Sequence, residues 1–380
     1  MSLVPVSVLT GFLGSGKTTL LRHLLGRPEM TRTAIIINEF GEIGLDHLLV
    51  ARSDENIVEL NSGCLCCTVR GDLVNTLGEL WDKRARGLIG AFDRVVIETT
   101  GLADPAPILH TLMTEPRLVT IYRLDVVITT LDAATGMATL DRHPEAVKQA
   151  AVADRLVLTK TDLPEAKGEA LEQRLAALNP GARIALAVAG DIAPDRLFDA
   201  GLYDPESKSL DVRRWLAEER YGAADSKTHT RGHDHGDHHH GADPHHADVN
   251  RHDDHIRAFC LTRERPISAA GFSLFLELLA ANRGPDLLRV KGIVDIAEEP
   301  GRPAVVHGVQ HIFHPVVWLD AWPDDEVRTR LVFITRDLPS AWIERLLDAL
   351  TGDPAQDEGP QGAQRQGEEA DALRLEAKPL

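Results

Sequence analysis

The chain has only four cysteines in 380 residues, and three of them lie between positions 64 and 67. Disulfide-stabilised secreted domains need cysteines spread along the chain, so this usage argues against that class and indicates a reducing cytoplasm. No apolar run approaches the length needed to cross a bilayer, and no basic leader precedes the first apolar run. We therefore expect a cytoplasmic protein that has no membrane partner.

The chain also has few basic residues relative to acidic ones: 41 Lys and Arg against 58 Asp and Glu, which give a formal net charge of −17. Such a chain is repelled by the phosphates of nucleic acid and by anionic lipid, so neither is an expected partner. The apolar content of 43% and charged content of 26% are those of an ordinary globular protein. Its length allows two domains, each with its own core.

Residues 11–18, Gly-Phe-Leu-Gly-Ser-Gly-Lys-Thr, match the phosphate-binding pattern G-x-x-x-x-G-K-[ST]. An apolar run, Val4–Leu9, predicts a buried strand before them, and Lys17–Leu25 has helical spacing. Glycines let successive N–H groups face phosphate oxygens at the start of a helix. Lys17 would neutralise the outer phosphates, and the Thr18 hydroxyl suits magnesium. The residues predicted to bind a nucleoside triphosphate are Gly11, Gly14, Ser15, Gly16, Lys17, Thr18 and Thr19.

Residues 1–205 alternate β-rich runs with helical patterns, which indicates an α/β fold: a P-loop NTPase parallel sheet flanked by helices. The predicted strands are Val4–Leu9, Thr33–Ile37, Ile57–Leu60, Val95–Glu98, Val126–Leu131, Arg155–Thr159 and Ile184–Val188. The predicted helices are Lys17–Leu25, Asp72–Arg84, Pro144–Ala153 and Glu165–Leu178.

The composition changes after residue 205. Residues 206–255 read as a helix followed by a flexible linker, because ten of the seventeen histidines lie between His229 and His255 among Asp and Gly. Residues 256–351 predict a smaller α+β C-terminal domain, and residues 352–380 a disordered tail. The predicted strands of the C-terminal domain are Ile256–Leu261, two or three strands around Leu288–Ile296, Ala304–Val309 and His311–Leu319, and Arg330–Ile334. Its predicted helices are Ala269–Ala281 and Ser340–Leu350.

Two further motifs fit a nucleotide site. The strand Val95–Glu98 ends in an acid, and Gly101 follows three residues later. In P-loop proteins such an acid holds magnesium and such a glycine senses the γ-phosphate, although a surface Glu at a strand end is also common. Residues 159–162, Thr-Lys-Thr-Asp, vary the guanine-reading Asn-Lys-x-Asp. Asp162 would accept two N–H bonds from guanine, and the Lys160 stem would pack along the purine; the alternative is a helix cap.

Cys64, Cys66 and Cys67 form a C-x-C-C run that brings three thiols close enough to bind one soft or borderline cation. Three ligands leave a coordination position open, unlike a closed structural zinc site. A redox switch and three small buried residues are the alternatives. Cys260, in a predicted strand, reads as a core residue, and His307, His311 and His314 read as sheet or surface residues.

The order of the motifs resembles that of the CobW family of metal-handling P-loop GTPases, which includes YjiA-like metallochaperones. The motifs are G-F-L-G-S-G-K-T-T-L-L, N-E-F-G-E, G-C-L-C-C, E-T-T-G-L-A-D-P and T-K-T-D, and the segment 287–292 is similar to the family's C-terminal domain. The resemblance covers about residues 3–350. It implies slow GTP hydrolysis, with Mg2+, coupled to binding Zn2+ or Co2+ and handing it to a client apo-metalloprotein.

Carried over to this sequence, the resemblance assigns the metal site to the three clustered cysteines and makes Lys17, Thr18, Glu98 and Gly101 catalytic. Asn38, Glu39 and Glu42 fall in the segment that resembles the first switch region, where a carboxylate could complete the metal shell or lie near magnesium. A charged loop face is the alternative for both acids. The linker histidines suit weak, exchangeable metal binding, unless the linker is only a spacer: His233, His235, His238, His239, His240, His245 and His246.

Three functions compete at this stage. The first is a GTP-dependent metallochaperone or metal insertase in which the γ-phosphate assembles the thiolate site and hydrolysis loosens it. The second is a GTPase that supplies cobalt to cobalamin biosynthesis. The third is a metal storage or regulatory protein with weak nucleotide turnover. A GTP-dependent homodimer is a further candidate partner, because the motifs contain no evident water-orienting glutamine or arginine finger.

Overall fold

The computed structural model describes residues 3–37, 57–59, 68–198, 255–323 and 325–352, which contain two β-sheets. The first sheet has seven parallel strands in the order β3-β2-β4-β1-β5-β6-β7. Their bounds are β1 (Val4–Gly11), β2 (Thr33–Ile37), β3 (Ile57–Glu59), β4 (Arg94–Glu98), β5 (Tyr122–Asp132), β6 (Arg155–Thr159) and β7 (Arg183–Ala187). The predicted parallel α/β sheet is confirmed.

β1 is the central strand, between β4 and β5. Its apolar residues, such as Val6 and Val8, are fully buried, as expected of a parallel strand with helices on both faces. All seven strands run in the same direction, so their carboxyl ends share one edge of the sheet. The chain leaves β1 toward β2 on one side and returns across it to β5, and α/β sheets bind ligands at such a crossover point.

Six helices accompany this sheet in the described residues. They are α1 (Lys17–Leu25), α2 (Thr68–Ala85), α3 (Ala106–Thr114), α4 (Gly136–Arg142), α5 (Pro144–Ala151) and α6 (Gly168–Leu178). The sequence predicts four of them and misses α3 and α4. None of the helices in the described segments is long and apolar enough to cross a membrane.

The second sheet is antiparallel and has the order β11-β10-β9-β13-β8, with β12 paired to β10. Its strands are β8 (Ile256–Arg263), β9 (Leu287–Val294), β10 (Ala304–Val309), β11 (Ile312–Phe313), β12 (Val317–Trp318) and β13 (Thr329–Arg336), with helices α7 (Ala269–Arg283) and α8 (Ser340–Thr351). The range His311–Leu319, predicted as at most one strand, contains two short strands, β11 and β12. Pro315 lies between β11 and β12, and its missing N–H and fixed φ interrupt the ladder.

The two faces of the second sheet pack against different helices, because successive side chains along a strand point to opposite faces. On β13, Leu331 and Phe333 belong to the cluster that buries α7 and α8. The intervening Val332 and Ile334 pack with Ala151 at the end of α5. The parallel sheet's helices therefore lie against the second sheet, and α5 carries residues that touch both halves.

A buried ion cluster joins the two halves. Asp154, just before β6, accepts hydrogen bonds at one carboxylate oxygen from Arg289 at 2.6 Å and Lys291 at 2.5 Å, both on β9. Its other oxygen accepts from the Val127 amide at 2.9 Å. Burial alone would raise the pKa of Asp154, but Arg289 and Lys291 hold it well below its ordinary value. Burial lowers the pKa of Lys291 to about 8, although Asp154 opposes this.

Candidate nucleotide-binding site

The loop after β1 has the backbone that the glycine pattern predicts. Gly14 and Gly16 have φ values of 72° and 90°, in the left-handed region that costs other residues free energy. A Cβ on Gly11 would lie 2.5 Å from the carbonyl oxygen of Thr130 on β5, so only glycine fits there. Gly16 caps α1, whose N-terminus therefore points into the loop.

Two side chains of the loop are fixed by short hydrogen bonds. The buried Ser15 hydroxyl lies 2.7 Å from the Thr130 hydroxyl, so it faces the sheet. The Lys17 ammonium donates to the carbonyl oxygens of Gly11 at 2.8 Å and Phe12 at 3.2 Å. The positive charge is thereby held across the curl of the loop. Gly14 and Thr19 are exposed beside it.

The Thr18 hydroxyl donates to Glu98 Oε1 at 2.9 Å, although the two residues are 80 positions apart in the chain. Glu98 ends β4 and is buried. A hydroxyl and a carboxylate are the hard oxygen donors that Mg2+ binds directly or through water. The oxygen donors of Thr18 and Glu98 therefore fit magnesium.

Gly101 lies directly against the phosphate loop. A Cβ at this position would be 2.6 Å from the backbone nitrogen of Leu13 and 2.7 Å from its Cα. The two backbones therefore approach more closely than any other residue type allows. This contact holds the segment after β4 against the phosphate loop.

Thr159 has a role that the motif comparison alone does not give. Its hydroxyl donates to the Ser15 carbonyl oxygen at 2.7 Å, and its side chain lies 3.3 Å from where a Cβ on Gly16 would be. The residue that replaces asparagine in the guanine-reading motif thus ties the end of β6 to the phosphate loop.

Lys160 and Asp162 follow at the same edge. Lys160 has a φ of 56°, and its ammonium donates to Asp132 at 2.6 Å. Burial would raise the pKa of Asp132, but the Lys160 hydrogen bond and the amides of Ala134 and Thr135 lower it below its ordinary value. A carboxylate that stays ionised holds the Lys160 stem in place. Asp162 is exposed at the surface of this edge.

Sequence reasoning missed two elements of this edge. One is Asp132, a single acid at the end of β5 whose partner Lys160 is distant in sequence. The other is the turn after β7, where Ala189 and Gly190 have positive φ and a Cβ on Gly190 would lie 3.0 Å from the Thr19 carbonyl oxygen. A Val-Ala-Gly turn carries no charged or ligating side chain that could have marked it.

The predicted metal residues are not tested by the geometry, because they lie outside the described residues. These are Cys64, Cys66 and Cys67, with Glu39 and Glu42, and all seven linker histidines; Asn38, predicted in the same switch-like segment, lies outside them too. Within the described part of the chain, no group of three or more His, Cys, Asp or Glu side chains could hold a metal ion.

The remaining cysteine and histidines have varied environments. Cys260 is a half-buried thiol on β8. His307 is buried on β10, where burial and the nearby Lys291 keep its pKa well below the ordinary value. His311 is exposed, and His314 is half-buried with a lowered pKa caused by burial.

Two family profiles match the chain. Residues 5–185 match the CobW/HypB/UreG nucleotide-binding domain. Residues 256–351 match the cobalamin synthesis protein cobW C-terminal domain. The first match contains the phosphate loop and residues 159–162, and the second contains the antiparallel sheet.

Relatives support the same assignment over nearly the full length. The zinc chaperone YjiA of Escherichia coli is 33% identical over 350 residues, covering 92% of this chain and 99% of the relative. The crystal structure of Zn(II)-bound YjiA GTPase from E. coli superposes with a TM-score of 0.63 at 28% identity, over 92% of this chain and 99% of that one.

A shorter match is the zinc chaperone CobW of Pseudomonas aeruginosa, 41% identical over 38% of this chain and 40% of its own. Another is the zinc-regulated GTPase metalloprotein activator 1 of Schizosaccharomyces pombe, 38% identical over 42% of this chain and 39% of its own. With two consecutive family profiles and a relative matched almost end to end, the chain belongs to the CobW family.

Proposed function

We propose that this protein is a GTP-dependent metallochaperone that binds Zn2+ or Co2+ and couples GTP binding and hydrolysis to metal transfer. The observation that carries the proposal is the convergence of Lys17, Thr18, Glu98 and Gly101 on one loop, in a chain whose near-full-length relative is a zinc chaperone.

Hydrolysis requires water to add to the γ-phosphorus while the bond to the β–γ bridging oxygen breaks, giving GDP and phosphate. Lys17 would stabilise charge on the β- and γ-phosphates, and Gly101 would offer its N–H to the γ-phosphate. Mg2+, held by Thr18 and Glu98, would neutralise the phosphate oxygens. Turnover should be slow, because the motifs contain no evident water-orienting glutamine or arginine finger.

Guanine selection is assigned to Asp162, with Lys160 against the purine. Two hydrogen bonds to a carboxylate should favour GTP over ATP by roughly 100-fold, and Asp162→Ala should remove that preference. Steady-state turnover of both nucleotides with Mg2+ measures it. Asp195→Ala, an acid elsewhere in the domain, serves as the control. Equal use of ATP and GTP by the wild type would reject the assignment.

The metal site is assigned to Cys64, Cys66 and Cys67, with Glu39 and Glu42 as candidates to complete it and the linker histidines as weak auxiliary ligands. Support comes from the C-x-C-C chemistry and from zinc chaperone relatives. Thiolates need a reducing compartment, so we place the protein in the cytoplasm. Its partner would be a client apo-metalloprotein.

A competitive Zn2+ titration with GTP and Mg2+ tests this site. The Cys66→Ala/Cys67→Ala variant should lose tight binding, while deletion of residues 229–252 should remove only weak, additional ions. Tight binding lost in the linker deletion and retained in the cysteine variant would reverse the assignment.

A GTP-dependent homodimer is the second proposed partner. Leu13 on the phosphate loop and Leu102 beside Gly101 have 59% and 55% of their surface exposed. Apolar side chains beside a nucleotide suit an interface that forms in one nucleotide state. Sedimentation with a GTP analogue and with GDP should show a dimer only with the analogue.

A further inference from the structure

The loop between β4 and α3 is tied to a glutamine that no nucleotide motif includes. Gln149 lies on α5 and is completely buried. Its side-chain amide donates to the carbonyl oxygens of Gly101 at 3.2 Å and Ala103 at 3.0 Å. Two bonds from one amide group therefore hold the carbonyl groups of Gly101 and Ala103. A side chain from another helix thus fixes this loop immediately after the Gly101 Cα.

α5 is itself anchored at this residue. The Gln149 carbonyl oxygen accepts a hydrogen bond at 2.8 Å from Thr129 on β5. Gln149 also lines the narrow cleft behind the phosphate loop, together with Phe12, Leu13 and Ser15. Its Oε1 atom is buried and has no hydrogen-bond partner among the described residues. The side chain is thus held by its donor group, which is the end that faces Gly101.

The far end of the same loop meets the second sheet. Asp104 Oδ1 accepts a hydrogen bond at 3.0 Å from the amide of Ala106, the first residue of α3. Asp104 Oδ2 lies 3.4 Å from the Gln310 side-chain amide and 3.4 Å from the Lys148 ammonium. Gln310 belongs to the β10–β11 turn and has a φ of 54°. A movement of the loop that shifts Asp104 must change its contact with Gln310 or its hydrogen bond from the Ala106 amide.

A second contact joins α3 to the same turn. His110 Nε2 donates to the Val309 carbonyl oxygen at 2.8 Å, and the rings of His110 and His311 are 4.8 Å apart, edge to face. Val309 is buried in the hydrophobic cluster of the first sheet. The turn of residues 309–311 is thus packed against α3, and close-packed interiors transmit small displacements rather than absorb them.

We propose that Gln149 is a positioning residue that holds loop 101–104 in its γ-phosphate-responsive position, and that this loop transmits the nucleotide state to the second sheet through the Asp104–Gln310 contact. The inference rests on the proposed role of Gly101. GDP lacks the γ-phosphate, so Gln149 should affect GTP binding and leave GDP binding unchanged. The second sheet becomes the part of the molecule whose surface differs between the two nucleotide states.

The test compares Gln149→Met and Gln310→Ala with wild type, using a non-hydrolysable GTP analogue, GDP and Mg2+. The measured quantity is the dissociation constant of GDP divided by that of the GTP analogue. In Gln149→Met this ratio should fall about tenfold, because the analogue binds more weakly while GDP affinity is unchanged, as expected for loss of hydrogen bonds to the loop. Gln310→Ala should keep that ratio and lose the nucleotide-dependent difference in hydrogen exchange of residues 304–313. Gln173→Met, an exposed glutamine on α6, should match wild type in both readouts.

If Gln149→Met also loses GDP affinity, Gln149→Glu replaces it. A carboxyl group donates to the loop carbonyls only while protonated, so in this variant alone the ratio should fall as pH rises from about 5.5 to 8.5. If Gln149→Met keeps the ratio of the wild-type protein, or if the ratio of Gln149→Glu does not depend on pH, the role of Gln149 is overturned and the proposed role of Gly101 stands. If the wild-type protein itself has a ratio near one, the proposed response to the γ-phosphate is overturned.

Discussion

At the residue scale, the phosphate loop is held by hydroxyl groups from distant strands. Ser15 is bonded through its side chain to Thr130 and through its carbonyl oxygen to Thr159, which are 115 and 144 positions away. Each bond replaces a bond to water, so its net contribution is about 1 kcal/mol, yet leaving the Ser15 carbonyl oxygen buried and unbonded would cost more. The threonines therefore shape the loop more than they stabilise the whole fold.

Thr159→Val tests this role, because valine keeps the shape and removes the hydroxyl. We expect the free energy of unfolding to fall by about 1–2 kcal/mol and GTP affinity to fall severalfold. Thr159→Ser keeps the donor and should retain nucleotide affinity. Chemical denaturation and nucleotide titration measure both effects. Equal affinities in the two variants would show that the hydroxyl does not shape the site.

Gly101→Ala should separate the γ-phosphate response from nucleotide binding. The new Cβ would meet backbone atoms of Leu13, which cannot rotate away, so the loop after β4 must move off the phosphate loop. The GTP analogue should bind about tenfold more weakly, as for the loss of one preorganised N–H donor, while GDP affinity is unchanged. A parallel loss of GDP affinity would show that the residue supports the loop and does not sense the γ-phosphate.

At the element scale, backbone approach decides how α7 and α8 pack. A Cβ on Gly271 in α7 would lie 2.5 Å from the Leu350 carbonyl oxygen in α8, so Gly271→Ala should push the helices apart and cost about 1–3 kcal/mol. Gly71, exposed in α2, has no atom within 4 Å of such a Cβ. Gly71→Ala should stabilise by about 0.5–1 kcal/mol. Thermal unfolding of both variants distinguishes packing from helix propensity.

The sequence predicts elements well where periodicity is strong and poorly where it is absent. α1 and β6 have the predicted bounds, because apolar spacing and flanking glycines or polar residues mark both ends. α3 escapes prediction because it is buried nearly all round and begins among prolines, so no polar face appears. α4 has only seven residues, too few to show a helical period.

The same limit applies to the site. The phosphate loop and the acid of β4 can be predicted from the sequence, because each is a short motif next to a predicted strand or helix. The hydrogen bonds of Asp132, Gln149 and Thr159 depend on strand order, which brings β5, β6 and α5 to the loop only in the folded chain. Single polar residues at element ends give no such information in sequence.

At the scale of the whole molecule, the buried carboxylate of Asp154 links the two sheets. Removing one partner of a buried ion cluster leaves the others uncompensated, so Asp154→Asn should lower the free energy of unfolding by about 3–5 kcal/mol. Lys291→Met keeps the bond between Asp154 and Arg289 and should cost less. Limited proteolysis should detect a looser interface between the sheets in Asp154→Asn first.

The stabilisation that Asp154 provides should depend on pH. The pKa of Asp154 is lower in the folded protein than in the unfolded chain, so its stabilisation is present above about pH 4 and is lost as pH falls further. Acid unfolding of Asp154→Asn should lack this contribution. A wild-type stability that is flat from pH 5 to pH 2 would contradict the assignment of the cluster.

The central claim of the proposed function is that the γ-phosphate controls how tightly the cysteine site holds its metal. The direct measurement is Zn2+ affinity, by competition with a chelator, for the protein loaded with Mg2+ and a non-hydrolysable GTP analogue and for the protein loaded with GDP. We predict binding at least about tenfold tighter with the analogue, a coupling free energy of about 1.4 kcal/mol that Cys66→Ala/Cys67→Ala abolishes. Equal Zn2+ affinity in the two nucleotide states would contradict the account.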